Sequence, residues 1–302
     1  MSLNVRLTPA RRVILVIGVP LVLAMIAFGA VGWSHIAIIQ LANGHPVGFS
    51  RTLSLPASGQ SRLTVSNANL GLRPGAGSRI RVRASLYGSI ARPRFERRYT
   101  ARGLSLSPYC TVPVGNCDLN LQASVPTGLP VTATDNFGNI TASGLSGTVT
   151  LTDNSGNLVA TGLAGTIRLY NPYGELNASG LSGTTQLSSN DGDINATGVT
   201  GGTRLRDSFG NITVTGLAAA DVTATNNDGD VYLSFSQVPK TVTVTDSFGN
   251  VTLVLPRGPA TYRVHAGRPP FGSRSITVPE SATSSSVITV HNSNGDITIK
   301  NA

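Results

Sequence analysis

The chain has 302 residues and a mass of 31.2 kDa, enough for one large or two ordinary domains with a real core. Charged residues are 12% and glycine fills 34 positions, against usual shares of ~25% and ~7%. That excludes a coiled coil or a charged helical protein and argues against a helix-rich enzyme, while 40% hydrophobic residues exclude a compositionally disordered chain. The net charge of +9 is uneven: residues 51–102 hold eleven Arg against Glu96 alone, whereas residues 103–302 hold thirteen acidic and nine basic residues.

Residues 1–12 contain Arg6, Arg11 and Arg12 and no acid. The next stretch, 13–33, runs VILVIGVPLVLAMIAFGAVGW without a charge. As a helix it spans roughly 30 Å, the thickness of a bilayer core. Trp33 stands at its far edge, where an amphipathic ring prefers the interface. The run exceeds the ~7–15 apolar residues of a cleaved signal peptide, so an uncleaved transmembrane anchor is predicted over cleavage. Arginine precedes the span and none lies between Ser34 and Ser50. This places residues 1–12 in the cytoplasm and everything beyond the linker 34–48 outside, at the cell membrane.

Residues 49–133 read as irregular β coils with a basic cap. Arg79, Arg81 and Arg83 alternate with Ile80, Val82 and Ala84, which puts three guanidinium groups on one face of a strand. With Arg92, Arg94, Arg97 and Arg98 they form a candidate contact for an anionic surface, a lipid headgroup or a wall polymer. The alternative is a solvated strand face. Cys110 and Cys117 are the two cysteines. A local, even pair outside the membrane reads as a small-loop disulfide, with two unpaired buried thiols as the other reading.

From residue 134 to 302 the chain repeats. TDNFGNITASGLSGT, TDNSGNLVATGLAGT, YNPYGELNASGLSGT and RDSFGNITVTGLAAA begin at Thr134, Thr152, Tyr170 and Arg206. The marker glycines Gly138, Gly156, Gly174, Gly192 and Gly210 recur every 18 residues, and the spacing then loosens through Gly229, Gly249, Gly272 and Gly295. Apolar residues alternate on both sides of each marker, as in Ile140 with Ala142 and Val149 with Leu151. Period two predicts strands with one inward face, two per repeat. The marker glycines are expected to supply unusual backbone angles. An Asp or Asn three residues earlier is expected to bond its own turn, stacking into a polar ladder along one edge. The predicted fold is an all-β, single-stack β-solenoid of about nine coils, each ~4.8 Å above the last.

Little in the chain carries chemistry. No nucleophile elbow, zinc motif or phosphate loop is present, so neither catalytic nor metal residues nor a cofactor are expected. Asp191/Asp193 and Asp228/Asp230 are carboxylate pairs in NDGD turns. Turn stabilisation is their plain reading, calcium ligation or glycan hydrolysis the sharper ones. Five Asn-x-Ser/Thr sequons, at Asn139, Asn177, Asn195, Asn211 and Asn250, follow from the repeat grammar. Phe137, Tyr173 and Phe209 precede the marker glycine in alternate coils, with Ser155 and Asp191 between. Such aromatics, ~9.6 Å apart, form a candidate glycan platform; the alternative is rings packed over neighbouring turns. Phe248 and Phe271 extend the row in what the sequence order makes adjacent coils.

The opening LTPARRVILVIGVP, the segment SRLTVSNANLGLRPG, and the DNxGNIT and DSFGN repeats ending in HNSNGDITIK resemble a bacterial domain of unknown function labelled "putative adhesin". It is of the type common in actinobacterial membrane-anchored proteins. The resemblance covers about residues 50–302 plus the anchor. It implies a β-solenoid surface domain with adhesion as its suggested role and no catalytic motif to carry over. The expected function is therefore a non-enzymatic, membrane-anchored surface module for adhesion or envelope interaction. Its partners are the lipid bilayer, through the N-terminal helix, and a cell-wall polymer or glycan; nucleic acid is not expected. The rival reading is an envelope-stress or signalling accessory that binds a peptide or polymer. A polysaccharide-cleaving enzyme is the third.

Overall fold

The computed structural model describes residues 47–56, 61–65, 68–88, 94–100, 103–109 and 117–302. The expected anchor at 13–33 and its linker lie outside the described residues. Seven strands precede the regular repeats: β1 (Val47–Pro56), β2 (Ser61–Val65), β3 (Ala68–Gly75), β4 (Arg79–Gly88), β5 (Arg94–Thr100), β6 (Gly103–Tyr109) and β7 (Cys117–Pro126). Strands then come in pairs: β8 (Val131–Asp135) with β9 (Ile140–Ser143), β10 (Ser146–Asp153) with β11 (Leu158–Thr161), and β12 (Ala164–Asn171) with β13 (Leu176–Ser179). They continue as β14 (Ser182–Ser189) with β15 (Ile194–Thr197), β16 (Thr203–Arg206) with β17 (Ile212–Leu217), and β18 (Asp221–Thr225) with β19 (Val231–Phe235). The last pairs are β20 (Thr241–Phe248) with β21 (Val251–Leu255), β22 (Arg263–Ala266) with β23 (Arg274–Ile276), and β24 (Val287–Asn294) with β25 (Ile297–Asn301).

The described part is all-β. Each pair gives one strand to a 12-stranded sheet and the next to a 13-stranded sheet, so one repeat is one turn of a flattened coil. Within the repeats every strand pairing is parallel, and from β8 to β21 each shifts by one whole repeat, as in Val149 beside Ile167 and Leu158 beside Leu176. At ~4.8 Å per strand the larger sheet is roughly 58 Å long. The predicted strand phase holds: Ile140, Leu158, Leu176, Ile194 and Ile212 are fully buried, as are Val149, Leu151 and Ile167. Each such side chain is worth ~1.5–3 kcal/mol of burial. A second buried column escaped the sequence reading. Leu145, Leu163, Leu181, Val199 and Leu217 fill the other corner of the core, although the first four sit in glycine-flanked turns and Leu217 ends β17 beside Gly216.

The glycines divide by role. Gly162 sits at φ 62, the left-handed conformation that side-chain-bearing residues avoid. The marker Gly156 does not take that conformation. There a Cβ would collide with the carbonyl of Gly138 in the coil below. Close coil-to-coil approach, rather than the expected backbone angle, fixes that position as glycine.

Coil order departs from chain order at both ends. The last strands β24 and β25 insert between β20/β21 and β22/β23. At the other end β2 and β3 lie between β8/β9 and β6/β7. Each rod end is thus closed by an excursion from within the chain. At the first end the outer layers also turn antiparallel, β4 against β7 and β1 against β4, and β5 against β6. A stack that ended on an inner coil would present unpaired strand edges, and the excursions cover them.

Candidate functional site

The turn after each strand of the smaller sheet is built on one side chain. In one coil Asp153 is buried, and its Oδ1 accepts the backbone N–H of Gly156 at 2.8 Å while Oδ2 accepts that of Ile140 at 3.0 Å. In the next, Asn171 accepts the N–H of Gly174 at 3.0 Å and donates from Nδ2 to the carbonyls of Gly156 (2.9 Å) and Glu175 (3.1 Å). Asn226 likewise donates to Gly210 and Gly229. The ladder expected along an edge is in fact internal, under the turns. Asp135, Asp207 and Asp246 occupy it with one oxygen unpartnered in each. Burial, opposed by backbone N–H donors and assisted by nearby aspartates, pushes these carboxyls up to about 6.

Held from below, the turn points its next-but-one residue outward. Phe137, Tyr173 and Phe209 are 63–69% exposed, and Phe248 and Phe271 are 55% and 75% exposed. The insertion of β24/β25 changes the order of this row. Phe248 pairs with Asn294, and Asn294 bridges to Phe271. The two late aromatics are therefore not in adjacent coils, as sequence order implied. Along the edge the residues run Phe137, Ser155, Tyr173, Asp191, Phe209, Asp228, Phe248, Asn294, Phe271. Aromatic and polar positions alternate without a break, and neighbouring aromatics are ~9.6 Å apart. The sequence held the residues; only the topology puts them in register.

A second ladder flanks the row. Asn139 accepts the backbone N–H of Asn157, Asp193 that of Asn211, Asp230 that of Asn250 and Asp296 that of Ser273, at 2.7–2.9 Å. Asp193 and Asp230 are thus turn-to-turn acceptors, the plain reading of the NDGD pairs. Sequon residues Asn139, Asn211 and Asn250 belong to the same ladder. Accepting the Ser273 N–H holds the Asp296 carboxyl below its ordinary range. Among the described residues no cluster of three or more His, Cys, Asp or Glu could hold a metal ion.

The structure splits the arginine cluster between the sheets. Arg79, Arg81 and Arg83 are exposed on β4 in the larger sheet, alternating with buried Ile80, Val82 and Ala84. Arg79 donates from Nε to Ser54 Oγ at 2.8 Å. Arg94, Arg97 and Arg98 lie on β5, the edge strand of the smaller sheet, where Arg98 meets Glu96 at 3.7 Å. Arg92 lies outside the described residues. So does Cys110, while Cys117 opens β7. The sequence reading missed a different basic group. Arg168, Arg204 and Arg206 are exposed on the smaller sheet beside Tyr170. The 18-residue spacing was the available signal: positions 168, 186 and 204 form one column across three coils.

The family profile of Toastrack DUF4097 matches residues 111–300. Among solved structures, the chain is similar to a "putative adhesin" from Bacteroides fragilis, 14% identical, covering 84% of this chain and 97% of that one with a TM-score of 0.39. A "putative adhesin" from Parabacteroides distasonis is 12% identical over 86% and 98%, with a TM-score of 0.39. A "putative lipid binding protein" from the same species is 12% identical over 86% and 98%, with a TM-score of 0.32. No curated protein matches the chain.

Proposed function

The chain belongs to the Toastrack DUF4097 family, and from that premise we propose that it is a non-enzymatic, membrane-anchored surface rod whose aromatic edge binds an extended glycan. The single observation that carries this reading is the unbroken alternation of exposed aromatic and polar residues along one edge. Rings that exposed add little to folding, since most of their apolar surface stays in water. Five exposed rings at a regular interval along one edge, each flanked by polar groups, differ from the singly scattered apolar residues of an ordinary surface. Flat rings at fixed intervals stack against the apolar faces of successive sugars, and Ser155, Asp191, Asp228 and Asn294 between them offer hydrogen bonds to hydroxyls. Two coils span about the length of a disaccharide unit in a β-linked chain. Carboxylates along this edge favour an uncharged glycan over an acidic one.

The anchor at 13–33, with its preceding arginines, holds the rod outside the membrane in this reading. A reporter fused after Ala302 is expected to be active outside the cell and silent inside. Protection of the C-terminal part from protease added to wall-stripped cells would contradict the orientation. The binding claim is tested by passing the full-length chain, in detergent micelles, over immobilised neutral envelope polysaccharides. Saturable retention with no release of new reducing ends is expected. Release of reducing ends would overturn the non-enzymatic reading.

A further inference from the structure

The geometry points to a second binding site, away from the aromatic edge: a cradle for the phosphate group of a phosphodiester polymer on the outer face of the smaller sheet. Its floor is the strand row of Gln186 and Ser188 on β14. Arg168 and Tyr170 stand on β12 at one side, and Arg204 and Arg206 on β16 at the other. Parallel register puts Arg168 beside Gln186 beside Arg204, and Tyr170 beside Ser188 beside Arg206. Each wall is therefore ~4.8 Å from the floor and the walls are ~9.6 Å apart. Arg168, Tyr170, Gln186, Ser188 and Arg206, with Thr150, Thr152 and Asn190, line a shallow depression, and Arg204 stands beside it. Asn190 donates to the Tyr170 hydroxyl at 3.1 Å, which fixes the ring as one rim.

Charge decides the ligand class. Among the described residues no carboxylate lies within ion-pair distance of Arg168, Arg204 or Arg206. Three guanidinium groups on one small surface repel each other, and nothing in the core requires them. Each presents a planar fork that matches an oxyanion. Forks reach the floor from both sides. A carboxylate's two oxygens lie in one plane and face a single fork, whereas the two non-bridging oxygens of a phosphodiester diverge tetrahedrally, one toward each wall, and leave the weaker ester oxygens over Ser188. The depression is open, and threonines continue it along the sheet at Thr150, Thr152, Thr223 and Thr225. An open track of hydroxyls suits a chain that passes through rather than a free ion that must be enclosed.

The test titrates the full-length chain in detergent micelles with an oligo(glycerol phosphate). Saturable binding is expected, steeply weakened by salt. The double variant Arg168→Gln/Arg206→Gln is expected to weaken it roughly tenfold. Ser188→Asp, which puts a carboxylate in the floor, should do the same, while Arg274→Gln, on β23 of the other sheet, leaves it unchanged. Polyglutamate of matched charge is expected to bind at least roughly tenfold more weakly. Equal binding of polyglutamate, or unchanged binding in both cradle variants, would overturn the site. Complete competition by equimolar inorganic phosphate would also overturn it, because the polymer would then add nothing to a free ion.

Discussion

Asp207 and Asn226 hold the same place in successive coils and differ in what stands at one position of the side chain. Each accepts the next residue's N–H through Oδ1. Where Asn226 then donates from Nδ2 to two glycine carbonyls, Asp207 has a bare Oδ2 that can donate only when protonated. Burial, with the charge of Asp193 adding to it, raises this carboxyl to about 6, against an ordinary 3.8. The fold prefers the neutral acid, so stability falls as pH rises from about 4 through 6, and the loss is complete above that. Asp207→Asn is accordingly expected to stabilise the rod at pH 7 by about 1 kcal/mol and to do nothing at pH 4. Asp135→Asn and Asp246→Asn should behave alike, because burial shifts those groups in the same direction. Thermal melts at the two pH values check this, and an equal gain at both would contradict it. That Asp or Asn serves the turn was legible in the sequence. Which of them bury an unpartnered oxygen was not, because the repeat treats the two residues as equivalent.

At the scale of the element, period two made the strands and their inward phase readable, since a one-residue slip would put every apolar side chain in water. Leu169 is buried at 1% exposure between Leu151 and Leu187 of the neighbouring coils. Leu169→Asp places a charge where no partner or water reaches it, at a cost above roughly 4 kcal/mol. Coils support mainly their neighbours, so hydrogen exchange should rise first in β10, β12 and β14 and spare β21. Unchanged protection in β10 and β14 would contradict the assigned packing. Leu163 and its equivalents were harder to read. They sit between glycines in the second turn, where the local signal says loop, and only coil closure turns them inward. The expected backbone angle holds at the markers Gly229 and Gly295; at the others the cause is stacking distance, a property of two coils that is invisible in one.

For the whole molecule, the repeat announced a stack but not its order. Parallel strands with the same apolar pattern fit side by side in any sequence, and the 23-residue gaps around Gly272 gave no sign of which coil ends the rod. The insertion of β24/β25 is testable by cross-linking. Phe248→Cys with Asn294→Cys should form a disulfide on oxidation, since paired parallel strands hold the two Cα atoms ~4.8 Å apart. Phe248→Cys with Phe271→Cys should not, at ~9.6 Å. The opposite pattern in peptide mapping would restore serial order and break the alternation of the row. That alternation is what turns a scaffold into a reader of a repeating ligand, and one measurement tests it most directly. The variant Phe137→Ser/Tyr173→Ser/Phe209→Ser is compared with the native chain for retention on neutral envelope polysaccharide and for melting temperature. Loss of most retention is predicted, with a stability change near the ~0.5 kcal/mol usual for each surface substitution. A large fall in melting temperature with retention intact would contradict the account and make the rings turn packing.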